Sequence, residues 1–207
     1  MSKPSDEIPL VPGRECGTCN VCCVALTINE PPLLQKVQGV RCRHNQTDNL
    51  CAIYASRPDT CRTFFCGFRH LSWIKPTLRP DVSGVLVRMQ AEKPDGSGVQ
   101  KVSPVFMLLN REAVKAEGFA ESIAAAVMSD VPTYVSIPGP PGYTASHAKV
   151  NDVLRHAVIT KDKPAVLRLL RQIYAKGRGG KREPVTFKRV TGGPGVEPTG
   201  GPEKPAD

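Results

Sequence analysis

All eight cysteines of this 207-residue chain lie between Cys16 and Cys66, opening in the run ECGTCNVCC, and none follows. A segment so rich in thiols and in polar connectors has little with which to build a large apolar core, so its fold has to be organised around sulfur. The residues before it, with Pro4, Asp6, Glu7 and Pro9, offer no uninterrupted apolar stretch of the secretory kind. That predicts a cytoplasmic protein with reduced thiols, and reduced, closely spaced thiolates are ligands for soft or borderline metal ions.

The spacing separates two sets. Cys16, Cys19 and Cys22 recur every third residue, with Gly17 and Asn20 permitting tight turns, and Cys23 follows at once. Cys42, Cys51, Cys61 and Cys66 form a looser set, with His44 and His70 near enough to offer nitrogen, although a surface or supporting role is the simpler expectation for both. Eight sulfurs suffice for two four-ligand centres. The first three positions follow the bacterial ferredoxin rhythm, but Cys23 adjoins Cys22 where that run leaves a gap before Cys-Pro. A zinc ribbon would pair two Cys-x2-Cys knuckles, and Cys61 and Cys66 are separated by four residues. The expectation is therefore an iron–sulfur cluster ahead of zinc, with Cys16, Cys19, Cys22 and Cys23 as cofactor-binding residues and all eight cysteines as metal ligands.

The run from Cys16 to Cys23, then Cys42, Cys51-Ala-Ile-Tyr54, Arg57-Pro58 and Cys61-Arg62-Thr63-Phe64-Phe65-Cys66, resembles the CxxCxxCC family of zinc- or iron-chelating proteins, the YkgJ-like cysteine-cluster proteins. The resemblance covers residues 14–70, and two separated motifs are more specific than a lone CxxC. It implies a metal centre in a small cytosolic protein. One branch, the flagellin lysine N-methylases, joins a similar cysteine set to methyl transfer. Asp48-Asn49-Leu50 replaces the acidic-glycine turn usual just before Cys51, and the C-terminal extension is longer.

Around the cysteines, Pro58 suits the first turn of a short helix carrying Cys61 and Phe64, with Ser56 as its cap, and Phe64, Phe65, Phe68 and Trp73 read as a shielding core. Beyond them, Val82–Gln90 and Val99–Leu109 read as strands of a hairpin turning at residues 94–98, with Pro104 marking the second as an edge. Asn110 is placed to cap a helix bearing Ala116, Phe119, Ile123 and Val127, Tyr134 to Ile137 as a further strand, and two amphipathic helices follow over 150–158 and 166–173. This region shows no catalytic constellation or phosphate-cradling loop, and His147 and His156, nine residues apart, cannot form a helical metalloprotease pair. The predicted class is α+β: a flexible start (1–13), a cysteine-cluster metal-binding module (14–75), a packed α/β region (76–175) and a basic, then Gly/Pro-rich tail (176–207), disordered from Thr191.

The formal charge is +9, yet residues 1–75, 76–175 and 176–207 each carry an excess of three positive charges, so nucleic-acid binding is not expected. Apolar runs fall well short of the roughly 20 residues of a membrane span. The functional reading is metal binding and handling. The alternatives are an iron–sulfur redox protein or enzyme, methylase-like by family analogy, with an electron-transfer partner, or a zinc-stapled interaction module with a protein partner.

Overall fold

The computed structural model describes residues 9–46, 51–94, 96, 98 and 100–187. In chain order its elements are helix α1 (Val21–Ala25), strands β1 (Ile28–Glu30) and β2 (Leu34–Lys36), short helices α2 (Asp59–Thr63), α3 (Gly67–His70) and α4 (Pro80–Ser83), strands β3 (Val85–Ala91) and β4 (Val102–Leu108), helix α5 (Phe119–Met128), strands β5 (Tyr134–Ile137) and β6 (Ser146–Lys149), and helices α6 (Asn151–Ile159) and α7 (Lys163–Arg178). β1 and β2 form a small antiparallel ribbon; β3, β4, β5 and β6 form a sheet in that order. β3 and β4 are antiparallel, β4 and β5 parallel, β5 and β6 antiparallel. The parallel step requires a crossover, and α5 makes it.

Alternation along the strands assigns the two faces of the sheet. Val85, Val87, Phe106, Leu108, Val135 and Ile137 point to one side, where Phe119 and Ile123 of α5, Leu154 and Val158 of α6, and Val166 and Leu170 of α7 complete the main core. Phe106 and Phe119 meet edge to face at 5.7 Å. Leu86 and Met107 point to the other side and pack with Ala25, Cys66 and Phe68. The α+β class is as expected. A distinct N-terminal metal-binding module is not: the cysteine-bearing segment lies across the second face of the sheet and shares its core with β3 and β4. Gly67, at the start of α3, also comes close to a first-face residue, since a Cβ there would stand 2.7 Å from Val87 Cγ1.

Three local expectations change. Pro104 sits in an interior strand, tolerated because pairing with β5 begins one residue later, at Val105. Asn110 does cap, its Oδ1 accepting the Ala113 N–H at 2.9 Å, but it caps a single 3-10 turn (Glu112–Lys115), and α5 begins only after Gly118 at φ 80°. Trp73 is 39% exposed, resting against Phe106 at 6.4 Å. The proposed turn at 94–98 falls partly, and the tail from Thr191 wholly, outside the described residues. Among the described residues no helix is long and apolar enough to cross a membrane.

Candidate functional site

The cysteines are set by six separate pieces of backbone. Cys16 and Cys19 belong to one turn, closed by Cys19 N–H to Cys16 C=O at 2.9 Å. Cys22 and Cys23 are consecutive in α1, roughly 100° apart around its axis, and so face different neighbours. Cys42 follows β2, Cys51 bridges Asn45, Cys61 lies in α2, and Cys66 precedes α3. All eight are free; Cys16 is exposed, Cys42 and Cys66 are buried, and the others are intermediate.

These positions do not build a metal centre. Among the described residues, no group of three or more His, Cys, Asp or Glu side chains is arranged to hold a metal ion. The expectation that Cys16, Cys19, Cys22, Cys23, Cys42, Cys51, Cys61 and Cys66 surround an iron–sulfur cluster or zinc is overturned, and with it the metal-ion partner and the chelating role implied by the family resemblance. The physical reason is dispersal: the thiols are spread over turn, helix and loop, and the buried ones pack as small apolar groups. Cys66 joins the Leu86–Met107 cluster, while Cys23 and Cys61 lie against Ile28, Leu34 and Cys42. Neither histidine supplements them. His44 Nε2 accepts from Arg43 Nε at 3.2 Å, and His70 Nε2 is buried without a partner, burial holding its pKa down.

What the geometry does build is a set of unequal thiols. The adjoining Cys22 and Cys23 thiols shift in opposite directions: their mutual interaction drives the Cys22 pKa up, with burial adding to the rise, and draws that of Cys23 down, with the Lys36 and Arg57 cations adding to the fall. Cys66 is raised to about 11, mainly by burial. Burial also raises Cys19, whose S–H faces Asp81, and Cys61. Cys42 adjoins Cys23 through the backbone, its N–H donating to the Cys23 carbonyl at 2.9 Å.

Four polar residues hold this arrangement, and of them the sequence reading named only Arg57, as part of a motif. Lys36 is only 6% exposed, and its ammonium donates to the carbonyls of Val24 and Val37, each at 3.1 Å, and to that of Leu26. Glu30 accepts the N–H groups of Asp59 at 3.0 Å and Thr60 at 2.8 Å, and so caps α2, the role expected of Ser56. Arg57 lies over the Tyr54 ring at 4.0 Å. Arg14 reaches the carbonyls of Phe68, Leu71, Ser72 and Ile74, at 3.0, 3.1, 3.3 and 2.7 Å, and ties the start of the chain to the end of α3. The one available signal was a lysine alternating with apolar residues in a short strand.

Compared with known proteins, the chain matches no family model, no curated protein and no solved structure.

Proposed function

We propose that residues 14–75 carry a thiol–disulfide exchange site in a protein of the reducing cytoplasm, with Cys23 as the nucleophile. The observation that supports this is the setting of Cys23: the Cys22 thiol beside it, two cations at Lys36 and Arg57, and a second thiol, Cys42, packed in the same cluster and hydrogen-bonded to its backbone. A thiolate, not a thiol, attacks a disulfide, and a Cys with a pKa near ambient pH combines thiolate population with nucleophilicity.

In the first step the Cys23 thiolate attacks one sulfur of a disulfide and expels the other half as a thiolate. Cys42 then loses its proton to solvent and attacks the Cys23 sulfur, releasing the second half as a thiolate. The substrate disulfide gains two electrons and the Cys23–Cys42 pair loses them. Cys22 stays protonated and stabilises Cys23 in its resting form, and Cys61 lies in the same apolar pocket as a third thiol.

Reduced protein treated with oxidised glutathione and quenched in acid should yield a Cys23–Cys42 disulfide peptide by mass spectrometry. Cys42→Ser should accumulate glutathione on Cys23, and Cys23→Ser should lose exchange. Alkylation of Cys23 no faster than that of Cys16 at neutral pH, with no glutathione trapped in Cys42→Ser, would sink the reading.

A further inference from the structure

Helix α7 carries Lys163, Arg168, Arg171, Lys176 and Arg178 and no acidic residue. A solvated helix ordinarily offsets such a series with carboxylates three or four positions away. Lys176 and Arg178 sit in the last turn, where they complement the partial negative charge of the helix end. Lys163 pairs with Glu121 at 2.6 Å. Neither account reaches Arg168 and Arg171, which are exposed at mid-helix and form no ion pair among the described residues.

The fold places more positive charge opposite them. The 3-10 turn after β4 packs on α7, and a groove of about 460 Å³ runs between the two, lined by Arg111, Lys115, Arg168, Arg171 and the half-buried Tyr174, with Val114 in its wall. Glu112 pairs with Lys115 at 2.9 Å and also feels Arg111, but it does not line the groove. Charges that are evenly spread along the chain thus converge in space. Arg168, Arg171 and Arg178 follow at intervals of three and seven residues along one side of α7, so the stripe extends roughly 15 Å, longer than one small anion needs.

We propose that this groove binds the phosphate backbone of single-stranded nucleic acid without reading sequence. Guanidinium groups match phosphate with two parallel hydrogen bonds, and a ring beside a cationic groove is the arrangement on which bases stack. A net charge of +9 with a basic stripe along an exposed helix supplies the long-range attraction. The inference does not depend on the thiol reading.

The test is fluorescence anisotropy of a labelled, mixed-sequence single-stranded DNA of about 20 nucleotides with the full chain, titrated at several salt concentrations. Arg168→Ala/Arg171→Ala should weaken binding about tenfold at low salt and lower the slope of log affinity against log salt by about 1.4, because each phosphate contact on a single strand contributes about 0.7. Arg168→Lys/Arg171→Lys should keep most of the slope, which separates lost charge from lost structure. Unchanged binding in the alanine variant overturns the proposal. So does an equal loss in Lys176→Gln/Lys181→Gln, which would place the contact beyond the groove, or displacement by polyglutamate at matched charge, which would make the ligand an acidic polypeptide.

Discussion

Lys36 decides the character of the thiol site at the scale of one residue. Its buried ammonium satisfies three carbonyls at the ends of α1 and β2 and stands near Cys42 and Cys23. Burial pushes its pKa down while the neighbouring thiolates push it up. Lys36→Met keeps the bulk but leaves three acceptors without a donor, and urea unfolding should show a loss of about 2–4 kcal/mol. The same change removes a cation that favours the Cys23 thiolate. Because the Cys23 pKa is lowered, its alkylation rate in the parent should rise with pH to a plateau reached below the usual thiol range. In Lys36→Met the plateau should move toward the usual thiol range near 8.5. An unmoved plateau would show that Arg57 and the Cys22 S–H set the value without it.

Short elements with distant partners govern the cysteine-bearing half. Helix α2 is five residues long, too short to persist by propensity, and it is held by Glu30 from β1 across 29 and 30 residues of sequence. The Thr60 hydrogen bonds hold the Glu30 pKa below the ordinary carboxylate value. A lowered carboxylate pKa gives a contribution present above the unfolded value near 4.3 and lost as pH falls through the folded one. Glu30→Gln should therefore loosen α2 at neutral pH and speed Cys61 alkylation severalfold; in the parent the same loosening should appear only on acidification. Equal Cys61 rates in the two proteins would assign the cap elsewhere. This explains what could be read in advance. The β3 and β4 strands and helices α6 and α7 have apolar periods of their own and were legible, and Pro58 marked α2 though not its Glu30 cap, whereas α1, α3 and the β1–β2 ribbon exist through contacts such as Arg14 to Phe68. Strand β6 went unread because Ser146–Lys149 has no apolar alternation and is made a strand by pairing with β5. The cysteine rhythm was plain in the sequence, but spacing says nothing of where consecutive helical positions point.

At the scale of the molecule, residues 38–39 and residues 183–185 meet on one proline-rich loop. Gly142 N–H donates to the Gln38 carbonyl at 2.9 Å, and the Gln38 amide donates to the Tyr143 carbonyl. Gly39, at φ 77°, comes so close that a Cβ would stand 2.9 Å from Pro141 Cα. From the other end, Val185 N–H donates to the Gly142 carbonyl at 2.7 Å, Thr144 N–H to the Glu183 carbonyl at 2.8 Å, and Glu183 N–H to Thr144 Oγ1 at 3.1 Å. Residues 183–185 therefore fix the loop that fixes Gln38, two residues from Lys36. Truncation after residue 182, compared with truncation after residue 187, should cost about 1–3 kcal/mol for the lost hydrogen bonds. It should also speed hydrogen exchange at the Gly39 and Gly142 amides and raise Cys23 alkylation less than it raises those exchange rates, since Lys36 keeps its own three carbonyls. If exchange at Gly39 were the same in both truncations, residues 183–185 would be a passenger on the loop, energetically separate from Gln38 and Gly39.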